Sequence, residues 1–186
     1  MSLFHSDAFL AFRSRDFSLL SVNQLCLILA IMIQEVVIAY SVYQLTQNPL
    51  SLGMIALIEL LPFICLSLIS GDWADRYNRQ KIVQWSFSCS TLIPLLFIVL
   101  FSQYQQQHIQ QNTLLCGIYS LIFCLGILRG IYSPSFNSLR PFLTPESAYS
   151  NAATWTALIW QMGGILAPLC AGLLLGQLGL EKTLFI

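Results

Sequence analysis

Two acidic residues, Glu35 and Glu59, stand inside long apolar stretches of the chain. Each lies twelve residues from Gln47, on opposite sides of the polar segment that joins the two stretches. If the stretches are antiparallel helices, a rise of ~1.5 Å per residue puts both carboxyl groups at a similar depth. Burial and a neighbouring like charge both favour the protonated carboxyl. We therefore expect a proton-coupling site, with Glu35 the stronger candidate. The alternative is a protonated glutamate that is hydrogen-bonded in a bundle or wetted from its surface.

A second charged feature is the short segment 71–81, which reads GDWADRYNRQK and carries five of the sixteen charged residues. Gly71 allows a helix to end tightly there, since glycine adopts positive φ freely. Asp72 and Asp75 come shortly before the next apolar stretch, where a helix N-terminus favours negative charge. Asn78 tolerates the left-handed conformation. The segment therefore predicts a compact, charged turn between two helices.

The composition explains why charge is confined to such places. Of the 186 residues, 56% are hydrophobic and 9% are charged, against about a quarter charged in soluble domains. Crossing a bilayer takes about 20 apolar residues, and only a helix satisfies its own backbone in lipid without a partner strand. Five apolar runs meet this requirement, at residues 17–43, 52–70, 82–101, 113–133 and 152–175. The sequence therefore predicts an all-α integral membrane protein, with a sixth span beginning at residue 183.

The basic residues indicate which way the helices cross. Connections 44–51 and 102–112 contain no Lys or Arg. These two connections share one side of the membrane with Lys182. The opposite side carries six basic residues, in the N-terminal arm, the segment 71–81 and the connection after the fourth run. Because cytoplasmic loops carry the excess of Lys and Arg, we expect the arm formed by residues 1–16 to be cytoplasmic, followed by a transmembrane half-domain over 17–186.

Several classes of chemistry have no support in the sequence. The zero net charge gives no basic face for nucleic acid,. The six cysteines lie in apolar runs without metal-ligand spacing, and both histidines lie in polar flanks,. No GxxxxGK[ST] loop or nucleophile elbow occurs. We therefore expect no enzyme activity, no metal and no cofactor.

The charged segment resembles the G-x-L-A-D-R-x-G-R-[RK] signature between the second and third helices of major facilitator superfamily transporters. The matching residues are Gly71, Ala74, Asp75, Arg76 and Arg79. The departures are Trp73 for Leu, Asn78 for the second Gly, and Gln80 for a basic residue that follows one place later as Lys81. The resemblance implies that Gly71, Asp75, Arg76 and Arg79 form a conformational latch between two halves of a transporter.

Further stretches resemble the multidrug, macrolide and enterobactin exporter branch of that superfamily, namely YQLTQNPLSLG at 43–53 and RGIYSPSFNSLRPFLTPE at 129–146. GGILAPLCAG resembles the antiporter motif of the fifth helix through Gly163, Pro168 and Gly172. Small residues at intervals of four or five, including Ala167, Ala171 and Gly176, also predict close packing of that helix. Arg129, near the cytoplasmic end of the fourth span, is placed to snorkel or to pair with a loop aspartate such as Asp75.

By this resemblance the chain is the N-terminal six-helix half of a twelve-helix fold, cut at the start of the sixth helix. It implies a secondary transporter in the cell inner membrane that neither uses ATP nor catalyses a reaction. The transporter would export a small drug-like or siderophore-like compound in exchange for protons. Its partners would be that compound, protons, membrane lipid and a C-terminal half packed on the fifth helix. The alternatives are a non-transporting half-unit or remnant, and a lysophospholipid carrier.

Overall fold

The computed structural model describes residues 10–76, 78–139 and 148–184, without the side chains of residues 16, 74, 75, 79, 138, 139 and 178–184. This part of the chain is helical and contains no strand. A short 3-10 turn at Ala11–Arg13 precedes five helices, which are α1 (Arg15–Thr46), α2 (Leu50–Arg76), α3 (Arg79–Gln105), α4 (Gln111–Leu139) and α5 (Tyr149–Leu184). Each is long and apolar enough to cross a membrane. The predicted all-α membrane fold is confirmed, and the chain is a multi-pass membrane protein.

The helices alternate in direction, so their connections fall at two ends of the bundle. The turn end holds the connections between α1 and α2 and between α3 and α4. The arm end holds residues 10–14, the connection between α2 and α3, and the start of α5, whose Asn151 accepts a hydrogen bond from the backbone of Ala11 at 3.1 Å. At the turn end Gln47 ends α1 in the left-handed conformation, with φ of 50°. The next helix therefore starts within a few residues and runs back.

The connection between α2 and α3 differs from the expected turn in three respects. Gly71 does not end α2, which continues to Arg76. Asp72 consequently lies in the C-terminal part of α2 rather than before α3, and pairs with Arg76 one turn later. Asn78 is not left-handed but extended, with φ of −67°, and its side chain accepts hydrogen bonds from the backbone N–H groups of Gln80 and Lys81. An N-cap that satisfies free donors of α3 is the physical reason for this conformation.

Two groups of helices make up the described bundle. One is α2, α3 and α4, in which α4 packs on both others, and the second is α1 with α5. Contacts between the groups are sparse and include a shared core near the turn end, where Ile38 and Val42 of α1 join Phe97 of α3 and Ile118 of α4. Towards the arm end a cleft lies between α1 with α5 and the other three helices, and residues such as Gln24, Phe63 and Asn137 line it.

Glycine sets the closest approach in this bundle. A Cβ atom added to Gly126 of α4 would collide with the carbonyl oxygen of Glu59 and lie 2.7 Å from Pro62 Cγ. At Gly130, one turn later, it would lie 2.9 Å from Leu66 Cβ. The backbones of α2 and α4 can therefore approach only because both positions lack a side chain.

Candidate functional site

A cluster of three charged side chains lies in the cleft. Arg129 of α4 donates one hydrogen bond through Nη1 to Glu59 Oε1 of α2 and another through Nη2 to Glu35 Oε1 of α1. The exposed fraction of the side chain is 26% for Arg129, 16% for Glu59 and 43% for Glu35. One guanidinium therefore joins three helices and bridges the two groups, with Glu35 the member most open to solvent.

The local structure explains this position of the guanidinium. Arg129 is adjacent to Gly130 and within one turn of Gly126, where α4 lies closest to α2. Side chains of a helix lean towards its N-terminus, which for α4 is the turn end. The guanidinium of Arg129 thus reaches back along α4 to the level of Glu59.

From the sequence, Arg129 was expected at the cytoplasmic end of its span, where it would snorkel or pair with a loop aspartate. In the structure its hydrogen bonds go to Glu35 and Glu59 instead, because α4 is shifted along α2 and the side chain points away from the arm end. A signal for this pairing was present in the sequence. Arg129 is the single basic residue within the predicted spans, Glu35 and Glu59 are the single acids there, and charges inside a membrane generally pair.

The cluster carries more acid than base. With all three groups ionised, two carboxylates face one guanidinium, so its formal charge is −1. Hydrogen bonds between ionised partners are stronger than neutral ones. Removing the guanidinium leaves two carboxylates without compensation, which is costly, whereas neutralising one carboxylate leaves a balanced pair. The arrangement is therefore most sensitive to a loss of charge at Arg129.

Two cavities flank the cluster, and Glu35 and Arg129 line both. The smaller, of about 190 Å³, extends towards the turn end between apolar side chains such as Ile38, Ile55 and Leu125. The larger, of about 420 Å³, extends towards the arm end. Its wall contains four aromatic side chains besides Tyr132, namely Phe63, Phe87, Phe136 and Trp160. Mostly apolar cavities with a few polar groups are typical of small-molecule sites.

The predicted latch is described only in part. Arg76 Nε donates to Asp72 Oδ1 at 2.9 Å in a pair whose side chains are 71% and 58% exposed, and such exposed pairs contribute little to stability. Gly71 lies inside α2, where an added Cβ atom would meet nothing within 4 Å. The side chains of Asp75 and Arg79 lie outside the described residues. The latch therefore stays a prediction.

The small residues of α5 form two faces rather than one. Gly163 lies against Ile28 of α1, and Ala167 and Ala171, spaced by four residues, are fully buried on the same side. Pro168 and Gly172 point outwards, and a Cβ atom at Gly172 would meet nothing within 4 Å. The four-residue steps from Gly163 to Ala171 keep one face of the helix, whereas the five-residue step from Ala167 to Gly172 turns to the next side. The antiporter motif thus divides between the face on α1 and an open face.

Among the described residues, no group of three or more His, Cys, Asp or Glu side chains is placed to hold a metal ion. The described cysteines are all free, and none takes part in the charged cluster. The chemistry available at the cleft is therefore that of Glu35, Glu59 and Arg129. These groups can exchange protons and hydrogen bonds with a ligand.

The long apolar helices enclose a charged cluster that borders two cavities. This arrangement defines a polytopic membrane protein with a polar site between its helices. The chain belongs to the Major Facilitator Superfamily, whose family profile matches residues 20–186.

Three relatives agree with this membership. The chain is 23% identical to the uncharacterized MFS-type transporter YfiS and 25% identical to the uncharacterized MFS-type transporter YkuC, both of Bacillus subtilis, over 81% and 70% of its own length. It is 25% identical to the staphyloferrin A transporter of Staphylococcus aureus over 69% of its length. These matches cover 33%, 28% and 31% of the respective relatives, so the chain spans about a third of their length. No solved structure matched.

Proposed function

We propose that this chain forms part of a secondary active transporter that exports a small amphiphilic compound in exchange for protons. The observation that carries the proposal is the cluster of Arg129, Glu35 and Glu59, which borders two apolar cavities. Membership of a transporter superfamily supports transport as such. The relative named as a staphyloferrin A transporter supports a small-molecule substrate. Movement by alternating access follows from the general behaviour of such folds.

In this proposal Glu35 carries the coupled proton. It is the most exposed of the three groups, so protons reach it from the cleft more readily than they reach Glu59. Protonation removes its negative charge and weakens its bond to Arg129, which keeps Glu59 as its partner. Because Glu35 belongs to α1 and Arg129 to α4, the proton changes the attraction between the two helix groups. Proton uptake is thereby linked to the width of the cleft.

The remaining features fit the same proposal. We propose that the arm end is cytoplasmic, since most of the basic residues fall there, and that Gly71, Asp75, Arg76 and Arg79 act as its latch. The open face of α5, with Pro168 and Gly172, would then receive the other half of the transporter. A cleft that widens towards the arm end would load substrate from the cytoplasm.

The test uses membrane vesicles that contain the protein as its host makes it. A pH gradient is established, a panel of amphiphilic compounds is added, and a pH-sensitive dye reports whether a compound dissipates the gradient. We expect at least one compound to do so, and Glu35→Gln to abolish the response because an amide cannot bind the proton. Glu35→Asp is the matched control, since it keeps a carboxyl group and should retain part of the response. Full proton-linked transport by Glu35→Gln would remove Glu35 from this role.

A further inference from the structure

The larger cavity contains a hydrogen-bond donor without a partner. Gln24 of α1 lines this cavity and is only 4% exposed. Its amide nitrogen, Nε2, has no hydrogen-bond partner among the described residues. A buried donor that is left unpaired has lost its hydrogen bonds to water without replacement, which destabilises the folded protein. The side chain is therefore expensive to keep at this position unless something that enters the cavity pairs with it.

The wall between Gln24 and the charged cluster is aromatic. The ring of Phe87 lies 5.0 Å from that of Tyr132 and 6.2 Å from that of Phe136, measured between centroids. Trp160 of α5 completes the wall and is 51% exposed. Aromatic rings favour offset or edge-on packing with other rings, so this surface suits a flat aromatic body.

The position of Gln24 along α1 sets its distance from the charged cluster. Gln24 precedes Glu35 by eleven residues, which is close to three helical turns, so both residues lie on one face of α1 about 16 Å apart. The cavity thus offers an amide donor at its arm-end side, rings in the middle and an acidic cluster at the far side. The formal charge of that cluster favours a neutral or cationic ligand over an anionic one.

We infer that Gln24 determines specificity in the binding site of the proposed transporter, and that the ligand is a neutral or cationic aromatic compound with a hydrogen-bond acceptor, such as an ester carbonyl, facing Gln24. This inference rests on the proposed function, because it takes the cleft to be the substrate site. Gln24 selects for the acceptor, while the rings bind the aromatic body whether or not the acceptor is present.

Two fluorescent dyes with one chromophore separate these contributions. Tetramethylrhodamine methyl ester and tetramethylrosamine are both cationic, and the first carries a methyl ester that the second lacks. Their dissociation constants are measured by fluorescence anisotropy on the native protein in lipid nanodiscs, with empty nanodiscs as the background. One hydrogen bond is worth about 0.5–1.5 kcal/mol, so we expect the ester dye to bind about two- to tenfold more tightly.

The decisive variant is Gln24→Leu, which keeps the size of the side chain and removes the amide. We expect it to bind both dyes equally, with the affinity for tetramethylrosamine unchanged. The control is Gln44→Leu on the same helix, because Gln44 is exposed near the turn end and the one hydrogen bond described for its side chain goes to the hydroxyl of Tyr40. This control should keep the preference for the ester.

A structural role for Gln24 makes the opposite prediction for the protein without dye. If its amide held the helices together, Gln24→Leu would lower the melting temperature. If its partner is a ligand, removing an unpaired buried amide leaves the melting temperature unchanged or raises it. A lower melting temperature, a preference for the ester that survives in Gln24→Leu, or binding of neither dye would overturn the inference.

The outcome is separable from that of the vesicle experiment. An ester preference that depends on Gln24, with no proton-linked transport, would support the binding role and reject the proposed function. Proton-linked transport with no effect of Gln24 on binding would support the proposed function and reject the binding role of Gln24.

Discussion

The cluster that joins three helices makes a testable prediction about stability. Arg129→Leu removes the guanidinium and leaves two carboxylates without their donor. The Arg129–Glu59 pair is mostly buried, with side chains 26% and 16% exposed, and breaking a buried pair from one side costs about 3–5 kcal/mol. Glu35 is 43% exposed, so solvent screens its share to less than about 1 kcal/mol. Because neither side chain of the pair is fully buried, we expect the total loss to lie at the lower end of this range, at about 3–4 kcal/mol.

The assay is thermal unfolding of the purified protein in detergent, followed by the fluorescence of its tryptophans. For a chain of 150–250 residues, 1 kcal/mol corresponds to about 2–4 °C. Arg129→Leu should therefore lower the melting temperature by about 6–16 °C. The triple variant Arg129→Leu, Glu35→Leu, Glu59→Leu should regain most of this loss, since apolar residues often replace a buried ion pair without net cost.

The control is Arg76→Leu, which makes the same substitution in the exposed pair with Asp72. Exposed pairs contribute about 0–1 kcal/mol, so this variant should melt within about 4 °C of the parent. A melting temperature of Arg129→Leu no lower than that of Arg76→Leu would contradict the predicted loss. The prediction would also be refuted if the triple variant were as unstable as Arg129→Leu alone, because the loss would then not come from uncompensated charge.

Two further predictions concern backbone positions and use the same unfolding assay. Gly126→Ala should destabilise the protein by about 1–3 kcal/mol, because its Cβ atom would collide with α2, whereas Gly53→Ala in α2 meets nothing within 4 Å and should be neutral or slightly stabilising. Equal effects at both glycines would contradict the close approach. Asn78→Ala should cost about 1 kcal/mol by removing the hydrogen bonds to Gln80 and Lys81, and Asn78→Asp, which can still accept them, should cost less.

The architecture was predictable because its physical cause is local. Five apolar runs of membrane length appear in the sequence whatever their packing, and the described part of the chain forms five helices of that kind. The helices extend beyond the apolar runs, as in α2, which ends at Arg76 rather than near residue 70. Polar residues in the last turns satisfy their backbone within the helix, so hydropathy alone cannot locate a helix end.

The partners within the site were less predictable, because they depend on how helices are shifted and rotated relative to each other. The equal distances of Glu35 and Glu59 from Gln47 predicted a pair of like charges but did not predict Arg129 as the partner of both. Arg129 reaches both carboxylates because α4 places Gly126 beside the backbone of Glu59, and because the side chain of Arg129 leans back towards the turn end. Likewise, the spacing of small residues in α5 did not reveal that Gly163 and Gly172 serve different faces. The face that a residue serves and the partner that it meets depend on the position of the neighbouring helix, which the sequence of one helix does not specify.

Gly126 and Gly130 have a consequence that reaches beyond packing. An arginine side chain is long and flexible, so it does not by itself fix where its charge lies. Here the backbone of α4 is held against α2 on both sides of Arg129 in sequence, and the guanidinium meets both carboxylates from that fixed base. Two residues without any charge or side chain thus determine the electrostatic field of the cleft. A substitution at either glycine would change the chemistry of the site without altering one of its ionisable groups.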